Sequence, residues 1–487
     1  MKILVIGLDC AAPGILLEYE ALANVRGLMD AGCWGSLESV NPPITVPAWM
    51  CMSTSRDPGS LGVYGFRNRA DHSYDGLSIV DSRTIRELAI WDQVAREGGR
   101  SVVIGVPPSF PPRKVNGVSV SCFMTPDTKG HDFTWPPGVR HEIEALVGEY
   151  PVDVKKFRTD DKERLRDEIH EMTRKHFDVV RHFLAKKEWD YFQFVEIGLD
   201  RMHHGFWKHH DPSHVDHDPK SPYKNVIRDY YRLLDQEIGQ IFALLDGDTV
   251  VLIVSDHGAR PLDGGFCVNE WLIREGHLVL ERYPDRVTPF AQLAVDWEKT
   301  KAWSEGGYYA RVFLNVKGRE PQGTLEGSAV LAFRDELKAG LEATEDPDGE
   351  PLGTRVFKPE EIYRELRNVP PDLIVHFGGL AWRSIGGVGY DAIHLRENDT
   401  GPDDCNHDTF GAFVLAGPGV DRRGEVQGAR LLDVAPTLLE LGGYDVPEEM
   451  QGRSLLTRQG PGPQEPGVSE EAEAEIRRRL RGLGYLG

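Results

Sequence analysis

Short runs of apolar residues recur along the chain, each ending in glycine or a polar residue: Ile3 to Leu8, Val102 to Val106, Tyr191 to Ile197, Val250 to Val254, Leu373 to His376 and Ala412 to Ala416. Runs of this length with no polar alternation read as parallel strands buried on both faces. Between them, apolar positions fall three and four apart, as on one side of a helix, over Ile85 to Arg96, Asp160 to Lys186, Asn225 to Leu245 and Leu431 to Leu441. The alternation predicts an α/β fold, a three-layer α/β/α sandwich around a mainly parallel sheet.

From about Pro261 to Thr400 the patterns are short and broken by Gly, Pro and charge. Residues 261–400 therefore read mostly as an inserted cap, with a core strand such as the Leu373 run inside it, and the catalytic core is expected in 1–260 and 401–458. Residues 459–467, rich in Gly and Pro, read as a linker, and 468–487 as a C-terminal helix.

Composition narrows the function. A formal charge of −21 argues against a nucleic-acid polymer as partner, since such binding needs clustered Lys and Arg. A small anionic substrate remains compatible, because bound cations reverse the local field. The six cysteines include no Cys-x-x-Cys pair, so neither a zinc ribbon nor a disulfide framework is indicated, and a reducing compartment fits. The apolar start has neither the length nor the cleavage site of a signal peptide, and no stretch approaches the roughly 18 apolar residues of a membrane span. A cytoplasmic chain with no membrane partner is expected.

Five segments carry candidate chemistry. Asp9 directly follows the first strand, where open α/β sheets gather functional groups. In Gly198-Leu199-Asp200-Arg201-Met202-His203-His204, Asp200 and His204 stand four apart and share one side of a helical turn, a spacing that suits two ligands on one metal. Val254-Ser255-Asp256-His257-Gly258 places two adjacent donors at a strand end, with Gly258 allowing a close turn. His407 lies in Asn406-His407-Asp408-Thr409-Phe410-Gly411, just before the last strand. Thr45, in Pro42-Pro43-Ile44-Thr45-Val46-Pro47-Ala48-Trp49, opens a helical pattern through Met52, where free amides and the helix dipole favour an oxyanion. Taken singly, each also reads as an ordinary cap, turn or buried imidazole.

In content and order these segments resemble the alkaline phosphatase superfamily, particularly its type I phosphodiesterase and nucleotide pyrophosphatase branch with predicted phosphohydrolase/phosphomutase relatives. The resemblance implies two divalent metals, one surrounded by Asp9, Thr45, Asp256 and His257 and the other held by Asp200, His204 and His407. Mixed imidazole and carboxylate ligands suit zinc best, with manganese or iron also accommodated. It also implies hydrolysis of a small phosphate ester, diester or nucleotide-type or a monoester, through a phosphothreonine at Thr45. Family members place an Asn about twenty residues after the nucleophile; counting puts Phe66 there, with Arg67 and Asn68 as substitutes. His203, Tyr308, Tyr309 and Arg311 are further candidates for substrate contact. A sulfatase is excluded, because Thr45-Val46-Pro47-Ala48-Trp49 cannot make formylglycine. A phosphoglycerate-mutase-like phosphomutase is the nearer rival, and an inactive binding protein on the same fold a more distant one.

Overall fold

The computed structural model describes residues 1–456, and its largest sheet has ten strands. Five parallel strands form the middle, in the order Thr249–Val254, Lys2–Leu8, Tyr191–Glu196, Ser101–Ile104 and Gly117–Val120. Their register sets Gly7 between Val254 and Val195, so these strands end at one common edge. Thr134–Trp135 closes one side antiparallel to Gly117–Val120. On the other side Phe410–Ala416 runs antiparallel to Thr249–Val254 and to Cys33–Glu38, which in turn takes Gly424–Glu425 and Ala429–Arg430.

The first strand shows why its run is apolar throughout. Ile3 and Val5 enter a core shared with the helices Thr45–Thr54, Ile90–Arg96 and Val434–Gly442. Leu4, Ile6 and Leu8 enter the opposite core, with Ala23–Ala31, Lys162–Lys186, Gly198–His210 and Val226–Phe242. Each fully buried Ile, Leu or Val contributes roughly 1.5–3 kcal/mol. That exceeds the intrinsic strand preference of any residue, about 1 kcal/mol, so burial from both sides dictates the composition.

Two expected strands take other directions. Phe410–Ala416 is antiparallel, and Leu373–His376 lies outside the large sheet, antiparallel to both Ala310–Leu314 and Arg355–Phe357. An apolar run records burial and not direction, which is why the two could not be told apart from parallel core strands. No strand between 262 and 400 joins the large sheet, so the expected core strand within the insert is absent. That region instead builds a four-stranded sheet, completed by Ala302–Glu305, and a three-stranded one of Trp382–Ile385, Gly264–Cys267 and His394–Leu395. Both line a third core containing Trp303, Phe313, Leu337 and Val375.

The helix expected from Ile85 begins only at Ile90, because Ala89 is extended and its amide donates to the Asp92 carboxylate, fixing the start. The Leu431 pattern opens as a single 3-10 turn, Leu431–Asp433, before Val434–Gly442. Among the described residues no helix is long and apolar enough to cross a membrane. The expected linker and C-terminal helix lie outside the described residues.

Candidate active site

Convergence begins at the common strand edge. The Asp9 amide donates to Glu196 O at 3.2 Å, extending the ladder one residue past the strand. Cys10 then turns the chain with φ +67°. A left-handed non-glycine residue costs on the order of 1–3 kcal/mol and persists only when its surroundings hold it. Here the Cys10 amide donates to Asp256 Oδ1 at 3.2 Å and the Ala11 amide to Ser255 Oγ at 2.7 Å, so one strand end fastens the next. Trp49 Nε1 donates to Asp9 Oδ2 at 2.7 Å. Gly7 makes room for that indole: a Cβ there would lie 2.6 Å from the Trp49 ring.

Thr45 is the first residue of its helix, and the extended cap position is taken by Ile44. The Thr45 hydroxyl is therefore not used for capping. Its oxygen lies 3.2 Å from His257 Nε2 and 3.5 Å from Asp9 Oδ1. Opposite, the antiparallel pair Gly258–Pro261 and Cys405–Asp408 sets His407 across from Ala259. The His407 ring stacks on His257 with centroids 3.8 Å apart.

The donors fall into two groups of three, Asp9 with Asp256 and His257, and Asp200 with His204 and His407, each with its ligand atoms within 4.8 Å of one another. In the second group Asp200 Oδ1 lies 3.3 Å from His204 Nε2 and 3.5 Å from His407 Nε2. Backing groups fix the rings: His204 Nδ1 meets Asp403 Oδ1 at 2.6 Å, and His407 Nδ1 meets Pro43 O at 3.1 Å. Orienting an imidazole through its second nitrogen is what a ligating histidine requires.

All six donors are buried. Burial, then the charge of Asp200, pushes the Asp9 carboxyl well above its ordinary range, and burial with Asp9 does the same to Asp256. For Asp200 burial is the largest influence, but His204 and Arg201 outweigh it and hold the carboxyl well below the ordinary range. Burial lowers His257 and His407, keeping both imidazoles neutral and able to donate a lone pair. Asp200 Oδ1 and Asp256 Oδ2 are buried without a hydrogen-bond donor. Buried carboxylate oxygens without a hydrogen-bond donor, grouped with imidazole nitrogens, are a donor set that fits divalent metal ions.

The family model for type I phosphodiesterase / nucleotide pyrophosphatase matches residues 3–403. The chain belongs to this family. With the family comes the class of reaction, hydrolysis of phosphate esters. Six of the seven residues lie inside the match, whereas His407 lies beyond its end, so its place beside Asp200 is known from geometry. No curated protein matches in sequence. Among solved structures, human ectonucleotide pyrophosphatase / phosphodiesterase 5 aligns with TM-score 0.54 and 15% identity over 92% of this chain and 96% of its own. An inactive form of the murine protein in complex with AMP aligns at 0.51 and 15%, with the same coverage. Phosphonoacetate hydrolase from Sinorhizobium meliloti 1021, in complex with phosphonoformate, aligns at 0.58 and 14%, over 91% and 95%. At these identities the structural likeness establishes the fold.

Within this phosphodiesterase fold the expected substrate contacts divide. Arg67, Tyr308, Tyr309 and Arg311 line one cavity next to Ile44. Asn68 does not serve there: its Oδ1 accepts from the Tyr64 amide at 2.7 Å and its Nδ2 donates to Gly65 O at 3.1 Å, so the side chain closes its own turn. His203 is also corrected, because it is fully buried against Trp207 and Tyr231, where burial lowers it to about 3. Being next to His204 in a helix turns it about 100° away from the ligand side. Asp403, Arg201 and Trp49 were not foreseen. Arg201 donates to Asp153 at 2.9 and 2.8 Å and bonds Asp200 Oδ2, neutralising its outer edge.

Proposed function

We propose that the chain hydrolyses a small phosphate ester through a phosphothreonine formed on Thr45. Asp9, Asp256 and His257 would hold one divalent ion, and Asp200, His204 and His407 a second, zinc being best suited to the donors. Bound there, the ions supply Lewis acidity and lower the pKa of hydroxyl groups beside them. The observation that carries the reading is the Thr45 hydroxyl, free of any capping bond and within 3.5 Å of both Asp9 and His257.

The residues of the chain arrange the rest. Thr45 Oγ1 attacks phosphorus, the bond to the leaving alcohol breaks, and the alcohol departs with a proton. Water then attacks the phosphothreonine, returns the threonine hydroxyl and releases phosphate or a phosphomonoester. The amides at the start of the Thr45 helix favour the anionic group held against them. AMP and phosphonoformate in the two structural relatives are small anions of the same chemical kind. Six free, buried cysteines accord with a reducing compartment.

The test is hydrolysis of p-nitrophenyl phosphate and its phenyl diester with added zinc. Thr45→Ala should lower kcat at least about 10³-fold, and Thr45→Ser should keep measurable turnover. Mass spectrometry of a rapidly acid-quenched reaction should find phosphate on the peptide bearing Thr45. Turnover that survives Thr45→Ala would sink the nucleophile assignment. With a substrate that carries a second hydroxyl, such as 3-phosphoglycerate, an isomer with the phosphate retained would mean a mutase.

A further inference from the structure

Beside the candidate metal centre lies a cavity of about 170 Å³ whose lining includes four arginines, Arg67, Arg158, Arg311 and Arg383, and no acidic residue. Tyr308 separates it from the metal ligands: its hydroxyl lies 3.4 Å from His204 Nε2, and its ring packs 4.5 Å from that of His407. On the other side Ile44 adjoins Thr45. Carboxylates meet only part of the charge of these four arginines. Arg158 pairs with Asp403 at 2.8 Å, and Arg383 with Asp399 at 3.1 Å through Nε alone. Arg383 Nη1 is buried and has no partner, in a residue only 7% exposed. Arg311 is 5% exposed, donates to a backbone carbonyl, and has no carboxylate within 4 Å among the described residues. Arg67 reaches Glu305 only at 3.9 Å.

Burying guanidinium groups around an open space is unfavourable unless an anion joins them, and their planar forks match carboxylate or phosphate oxygens. The volume adds a size limit, since about 170 Å³ falls below the roughly 300 Å³ at which pockets begin to hold drug-sized ligands. A compact oxyanion fits, and a nucleoside does not.

We infer that this cavity is a subsite for a second anionic group of the substrate, so that the preferred substrates are small phosphate esters carrying a carboxylate or second phosphate near the scissile phosphorus. The inference rests on the phosphoesterase reading above for which end of the substrate reacts. The subsite itself stands on the arginines. Specificity is then shared: the insert contributes Tyr308, Arg311 and Arg383, and the segments before it contribute Arg67 and Arg158.

The experiment compares phosphoglycolate, ethylene glycol bisphosphate and uncharged-tail 2-hydroxyethyl phosphate, in turnover by the zinc-supplied native chain and in calorimetric binding to Thr45→Ala. One charge-assisted contact is worth about tenfold or more, so at least one of the two doubly anionic esters should exceed hydroxyethyl phosphate by that factor in both kcat/KM and affinity. Which of them wins tells carboxylate from phosphate. The ratio should fall toward one in Arg383→Met. It should fall likewise in Arg67→Glu, whose side chain is 55% exposed and should fold normally. Ratios near one in the native chain, or unchanged ratios in both variants, would overturn the inference. Binding discrimination without turnover of any ester would uphold the subsite while removing the proposed reaction.

Discussion

Asp403 holds His204 by Nδ1 at 2.6 Å, which leaves Nε2 facing Asp200 and His407. Replacing such a partner weakens metal affinity by about 10- to 100-fold, so Asp403→Asn should show that loss in a zinc titration while keeping a native melting profile. Equal affinity would mean that Arg158 and Asn398, which bond the other Asp403 oxygen, are its whole purpose. Away from the site, His376 is held down to about 3, by burial first and then by the charge of Arg355. An unfolded imidazole takes its proton near 6.5. Between those values the unfolded chain binds the extra proton, so the contribution of His376 to stability is intact above about 6.5 and is lost as pH falls toward 3, approaching about 1.4 kcal/mol per pH unit. His376→Phe should flatten urea-derived stability between about pH 6 and 4.5 by one proton's worth. An unchanged slope would show that His376 is already charged when folded. At this scale the sequence was legible where chemistry and position coincide, as in Asp200 and His204 four apart. It was illegible for Asp403, because a buried carboxylate behind a histidine looks like any surface Asp until the fold turns it inward.

The ribbon Gly258–Pro261 with Cys405–Asp408 is the element that joins the two ligand groups. Sequence reasoning assigned Gly258 to a turn, yet its need is for space: a Cβ there would lie 2.2 Å from Phe410 O, a backbone atom that cannot step aside. Gly258→Ala should therefore destabilise by at least about 2 kcal/mol and impair catalysis with it. Gly14→Ala, at the exposed position of the helix Pro13–Leu16 with nothing within 4 Å, should be neutral or stabilising by up to about 1 kcal/mol. Denaturant midpoints of the pair would decide whether crowding or mere loss of glycine matters, and equal shifts would refute crowding. The direction of Phe410–Ala416 was equally hidden. Had it been parallel, His407 would enter at the far edge of the sheet; running antiparallel, the strand starts at the edge where its neighbours finish, and that reversal brings His407 to Asp200.

Across the whole molecule, the proposed metal binding at the two buried donor groups would make the folded chain a ligand-stabilised object. An ion at about 1,000 times its dissociation constant adds about 4 kcal/mol per site, so removing zinc with a chelator should lower the melting temperature by on the order of 5 °C, and zinc should restore it. A melting temperature indifferent to both would mean that neither group takes metal. The layered sheet was readable because both of its faces are buried, which prints an unbroken apolar run for each central strand. The insert was not, because its short strands owe their place to Trp303, Phe313 and other partners distant in sequence. The position of Phe410–Ala416 bears also on how the protein is made. It lies between Thr249–Val254 and Cys33–Glu38, so a ribosome that has finished 400 residues has produced both neighbours and not the strand that joins them. Until residues 410–416 are synthesised, the emerging chain carries two strand edges without their partner, and such unpaired edges favour association between chains.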